Sequence, residues 1–93
     1  MGWAIPTSIG RKLANPNRTV VTITGDGCMR MHGVEIATAA KHKIPVIFIV
    51  SNNSVLRNVY LRMLETNKGA TDLTSLSTID WVKFAREPFE NCL

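Results

Sequence analysis

Between Thr19 and Asn53 the chain reads TVVTITGDGCMRMHGVEIATAAKHKIPVIFIVSNN, and this stretch decides the fold. Thr19-Val20-Val21-Thr22-Ile23-Thr24 is β-branched throughout, as a strand prefers. Gly25-Asp26-Gly27 stops it abruptly with two glycines free to take positive φ, and a loop follows. A helix is expected over residues 34–42: it is Ala-rich, with Glu35 early and Lys41 and His42 late to complement its dipole, and Ile44-Pro45 ends it. Val46-Ile47-Phe48-Ile49-Val50 is too short for most helices and reads as a buried parallel strand, closed by Ser51-Asn52-Asn53. Strand, loop, helix and strand fill 35 residues, the length of a right-handed βαβ crossover. The fold class is therefore α/β, part of a doubly wound parallel sheet with flanking helices.

Outward from this unit the signals are helical. Ile5, Ile9 and Leu13 fall at helical spacing, Pro6 suits a first turn, and Asn15-Pro16-Asn17 supplies a stop, predicting a helix over residues 6–14. After Asn53, the residues Val55, Leu56, Val59, Tyr60 and Met63 fit an amphipathic helix, followed by a polar loop from Thr66 to Ser77. A last helix is expected over residues 79–87, capped by Thr78 or Ser77 and ended by Pro88, with Trp81, Phe84 and Ala85 on one face. That spacing assigns Trp81 and Phe84 to the core rather than to a ligand platform.

With 93 residues the chain holds one domain at most and can bury only a small core. An apolar parallel strand needs cover on both faces, so surface from outside the chain is expected. The formal charge of +4 permits a polyanionic partner, but the basic residues are scattered, with no run of five. A solvated surface is the better reading, and nucleic-acid binding ranks last. Cys28 and Cys92 are too far apart in sequence for a zinc knuckle and are read as free thiols of a cytoplasmic protein. The longest apolar run, Ile44 to Val50, has seven residues, against about 20 needed to cross a bilayer.

Ligands of open α/β sheets bind beyond the carboxyl ends of the strands, where Gly25-Asp26-Gly27 and Asn52-Asn53 both fall. An Asp carboxylate, an Asn amide oxygen and a backbone carbonyl are hard donors suited to a magnesium ion that also takes phosphate oxygens. Glycines beside Asp26 let backbone N–H groups approach a diphosphate, with a helix end behind them. Each motif alone is weak, since Gly-Asp-Gly occurs in many turns and Asn-Asn in many loops. Together they are not: 24 residues separate Gly27 from Asn52, filled by a helix and an apolar strand.

That pattern, GDG followed by NN after an interval in the middle twenties, resembles the thiamine-diphosphate (ThDP) family. From Met1 to Asn53 the chain is similar to the cofactor-binding domain of the acetolactate synthase, pyruvate oxidase and benzoylformate decarboxylase group. The lead-in Met1-Gly2-Trp3-Ala4-Ile5-Pro6 resembles that group's MGYGLPAA stretch. The likeness over residues 54–93 is weaker, and the whole is expected to be a single partial ThDP-binding domain. The resemblance implies that Asp26 and Asn53 bind Mg2+ through side-chain oxygens and Val55 through its carbonyl. Gly25, Gly27 and the Cys28 amide would face the diphosphate, and Met1 would stand where the family places the apolar residue that props the cofactor in its bent form. It further implies a 2-keto acid substrate and a homo- or hetero-oligomer in which a second subunit or domain supplies the catalytic glutamate. No residue here takes that glutamate's role; Glu35 is expected to support the loop.

Cys28 departs from the family's usual Ser or Gly, and Arg57 from the Gly common in acetolactate synthases. The final Glu87-Pro88-Phe89-Glu90-Asn91-Cys92-Leu93 does not resemble the family's continuing sequence. Asn52 stays open between a turn residue and a direct role. His32 and His42 have no partner at metal-ligand spacing and read as surface or capping residues. Cys28 has no identifiable base that would make it a nucleophile. Against the enzymatic reading stands a truncated, non-catalytic binding module that retains the cofactor loop.

Overall fold

Two strands, β1 (Val21–Gly25) and β2 (Ile47–Ser51), pair in parallel with Val21 opposite Ile47 and Gly25 opposite Ser51. The computed structural model of the chain describes residues 1–66 and 72–90. Ahead of β1 runs α1 (Ala4–Ala14); between the strands lie α2 (Asp26–His32) and α3 (Glu35–Lys41). After β2 come α4 (Arg57–Thr66), a 3-10 turn (Asp72–Thr74) and α5 (Trp81–Glu90). The expected α/β class, with a parallel sheet and flanking helices, is what the chain adopts.

Side chains alternate across a strand, so the register sorts the sheet into two faces. Thr22 and Thr24 are buried beneath the helices, with Phe48 and Val50 packed against the core formed by Ile5, Ile9, Met29 and Ala39. The opposite face presents Val21, Ile23, Ile47 and Ile49, each about half exposed or more. Strand β2, expected to need cover from outside the chain, is partly covered on its inner face and bare on the other. A single right-handed crossover places its helices on one side of the sheet and leaves the other bare.

Several expected boundaries shift. Helix α1 begins at Ala4; Pro6 remains in its first turn, where a missing N–H costs no intrahelical bond. The segment after Gly25 is helix α2, not a loop: Asp26 stands in its first turn and Arg30 and His32 in its last, matching the dipole at both ends. Neither glycine of the motif uses positive φ, since Gly25 is extended at φ −83° and Gly27 lies inside α2. Helix α3 ends before Pro45 because Lys43 turns left-handed at φ 53°. Its N–H donates to the Ala40 carbonyl (3.1 Å) and that of Ile44 to the Ala39 carbonyl (2.8 Å), the bond pattern of a Schellman close.

Beyond β2, Val55 and Leu56 precede α4 rather than belonging to it, because Val55 bridges antiparallel to Ser75. Helix α5 is capped by Asp80, whose Oδ1 accepts the N–H groups of Val82 (3.1 Å) and Lys83 (3.0 Å), not by Ser77 or Thr78. It continues past Pro88 to Glu90. Trp81 and Phe84 stack edge to face, centroids 5.6 Å apart, and Trp81 packs on the core. Of the expected Thr66–Ser77 loop, residues 67–71 lie outside the described residues, as does Cys92. Among the described residues no helix is long and apolar enough to cross a membrane.

Gly33, at the joint of α2 and α3, shows why that joint is tight. A Cβ there would stand 2.5 Å from the Met29 carbonyl oxygen, which already accepts the Gly33 N–H at 2.7 Å. Backbone cannot step aside as a side chain end can. Gly33→Ala is expected to cost about 2 kcal/mol of stability in a urea titration, and an unchanged midpoint would contradict the packing described.

Candidate functional site

The two polar motifs meet at the carboxyl end of the sheet, as parallel pairing of Gly25 with Ser51 requires. Asp26 is 2% exposed, and its Oδ2 accepts the backbone N–H of Ser54 at 3.0 Å, which ties the end of β1 to the loop after β2. Ser54 sits at φ 54°, an uncommon backbone conformation for a residue with a Cβ. Asn53 Oδ1 accepts the Val55 N–H at 3.2 Å and so shapes the same loop.

A brace from residues 72–76 fixes this loop from outside. The Leu56 N–H donates to the Thr74 carbonyl at 2.9 Å and the Leu76 N–H to the Ser54 carbonyl at 2.8 Å, flanking the Val55–Ser75 bridge. Thr74 is 1% exposed. Sequence reasoning assigned this segment to a polar loop, and Leu73-Thr74-Ser75-Leu76 has no apolar-polar alternation that would mark it as a strand.

All seven candidate residues line one cavity of 180 Å³: Met1, Gly25, Asp26, Gly27, Cys28, Asn53 and Val55. Leu56, Arg57, Asn58 and Val59 complete its wall, none of which was among the candidates. Asn52 does not join them. It faces a larger apolar groove of 730 Å³ between α3, β2 and α5, lined by Phe48, Val50 and Trp81. Consecutive residues leaving a strand point to opposite sides, which separates the two asparagines. Glu35 lies apart from the cavity; it takes the Thr38 hydroxyl (3.1 Å) inside α3, and no bond from it to the 25–28 segment occurs among the described residues. His32 packs beside Gly2, and His42 caps α3.

The cavity offers oxygen donors. Asp26 keeps its second carboxylate oxygen and Asn53 Oδ1 a further lone pair, while the Val55 carbonyl accepts no hydrogen bond among the described residues. Three hard oxygens suit magnesium rather than zinc, which favours thiolate and imidazole donors. Consistently, no group of three His, Cys, Asp or Glu side chains gathers among the described residues. The first-turn N–H groups of α2, at Gly27 and Cys28, have no acceptor within their helix and border the same space.

The sequence model described as "Thiamine pyrophosphate enzyme, C-terminal TPP binding domain" matches residues 1–88. The chain belongs to this TPP-binding domain family. Among its relatives, the acetolactate synthase large subunit of Haemophilus influenzae is 46% identical over 56 residues, which is 60% of this chain and 10% of that protein. A probable pyruvate decarboxylase of Schizosaccharomyces pombe is 36% identical over 53 residues, 57% of this chain and 9% of that one. The solved structure of Rhodococcus jostii RHA1 thiamine diphosphate-dependent 4-hydroxybenzoylformate decarboxylase superposes with a TM-score of 0.82 at 32% identity, over 91% of this chain and 16% of that one. This TPP-binding domain therefore spans about a tenth of the length of the curated relatives it matches.

Proposed function

We propose that residues 1–93 form a single partial domain that holds thiamine diphosphate through Mg2+, within a ThDP-dependent 2-keto acid decarboxylase or acetolactate synthase-like enzyme. Asp26, Asn53 and the Val55 carbonyl would ligate the metal. Gly25, Gly27 and the Cys28 N–H would face the diphosphate, and Met1 would bear on the cofactor's organic portion. The observation that carries this reading is the convergence of these residues, drawn from three separate segments, on one cavity whose buried carboxylate retains an oxygen for a ligand.

The cofactor, when bound, supplies the electron sink for cleaving the bond beside a 2-keto acid's carbonyl. The chain's own residues position it: the loop from Asn53 to Leu56 is clamped by Asp26 on one side and by Thr74 and Leu76 on the other, so its donors are fixed before metal arrives. The catalytic glutamate would come from a second subunit or domain. The bare apolar face of Val21, Ile23, Ile47 and Ile49 supports assembly with further protein, as a homo- or hetero-oligomer. A cytoplasmic location is part of the same proposal.

Calorimetric titration with ThDP, with and without Mg2+, tests the reading. Binding that requires the metal and fails for thiamine lacking phosphate is expected; metal-independent binding, or none by the folded chain, refutes it. Gly27 gives a sharper steric test. A Cβ on it would come within 2.9 Å of Leu56 Cδ2 and 3.7 Å of Met1 Cε, so a larger side chain fills the cavity itself. Gly27→Val is expected to weaken Mg-ThDP binding by about tenfold or more. An unchanged Kd would place the diphosphate elsewhere.

A further inference from the structure

We propose that Arg57 is a second anchor for the diphosphate, independent of the metal, its guanidinium forking onto the terminal phosphate oxygens. The inference rests on the reading that the cavity holds Mg-ThDP and deepens it. Arg57 lines that cavity and is the one basic side chain among the described residues that does. It is exposed, and it has no hydrogen-bond or ion-pair partner among the described residues. The one acidic side chain in the same wall, Asp26, is buried, gives one oxygen to the Ser54 N–H and makes no ion pair with the guanidinium among the described residues.

Charge balance leaves work for such a group. A diphosphate brings about two to three negative charges near pH 7, because its terminal phosphate loses a second proton near pH 6. Magnesium less the Asp26 carboxylate supplies one net positive charge against them. Arg57 lowers the remaining excess, and its planar fork fits two phosphate oxygens at once, as a lysine cannot. Its place at the first residue of α4, three residues after Ser54, sets its backbone on the loop clamped by Asp26 and Thr74. Only the side chain must be ordered on binding.

The test is calorimetry on the full chain with Mg-ThDP and with Mg-thiamine monophosphate, in the absence of any keto acid, for the wild type, Arg57→Met and Arg57→Lys. Arg57→Met is expected to weaken Mg-ThDP by about 10- to 100-fold and thiamine monophosphate by less, with Arg57→Lys recovering part of the loss. The salt dependence of Mg-ThDP binding should also become shallower in Arg57→Met. Ligand-free melting temperatures should agree among the three proteins. If Arg57→Met binds both ligands as the wild type does, the inference is wrong while the Mg-ThDP site stands. An equal loss for both ligands with a lowered melting temperature makes Arg57 structural and also overturns it. Absence of metal-dependent binding in the wild type removes both the site and this anchor.

Discussion

Asp26→Ala is expected to weaken magnesium-dependent ThDP binding by at least about 100-fold, because the substitution removes the one carboxylate of the proposed donor set and its charge. It should also loosen the loop. Asp26 Oδ2 satisfies the Ser54 N–H at 3.0 Å, and Ser54 holds a left-handed backbone that costs energy for a residue with a Cβ. Leaving that donor unpaired costs about 1–3 kcal/mol. Asp26→Asn separates the two effects: its amide oxygen can still accept the Ser54 N–H, but the charge is gone. The melting temperature of Asp26→Asn should therefore lie near that of the wild type while Mg-ThDP affinity falls nearly as far as in Asp26→Ala. Retained affinity in Asp26→Asn would show that the carboxylate charge plays no part in holding the metal.

The largest stability loss is expected from Ile5→Ala. Ile5 is fully buried at the start of α1, with Ile9 one turn on, and the buried hydrophobic core comprises these two with Met29 and Ala39. Removing three carbons from such a site costs about 2–5 kcal/mol, a large part of the 5–15 kcal/mol that stabilises an ordinary domain. Leu13 lies on the same helix but is 62% exposed, so Leu13→Ala should fall within about 0.5 kcal/mol of the wild type. Urea midpoints compared across the three chains decide it. Similar midpoints for the two variants would mean that α1 does not carry the core.

The elements most legible in the sequence are those with strong local chemistry. The β-branched runs gave both strands within two residues, and their parallel pairing followed from the intervening helix. The Asp26 and Asn53 pair was legible because both positions leave strand ends, where topology brings them together whatever the details between. The family resemblance rested on the two motifs that hold these residues, on their spacing and on the lead-in from Met1 to Pro6.

What stayed hidden depends on tertiary contacts or on rare residues in unusual roles. Helix α2 has seven residues between two glycines and reads as a loop; packing of Met29 into the core stabilises it. Lys43 closes α3 in a conformation usually left to glycine, so Pro45 appeared to be the stop. The brace at Thr74 and Leu76 pairs across about twenty residues with the site loop, and no local pattern announces such a bridge. Asn52 was undecidable in sequence because its direction relative to Asn53 is set by how β2 ends. The bare sheet face was foreseen only as a need for outside cover.

The position of the metal tests the central claim most directly. A crystal structure of the chain with Mg2+ and ThDP should show the ion at about 2.1 Å from Asp26 Oδ1, Asn53 Oδ1 and the Val55 carbonyl oxygen, with diphosphate oxygens and water completing an octahedron. An ion bound elsewhere, or a diphosphate seated without contact to these three residues, would contradict the account.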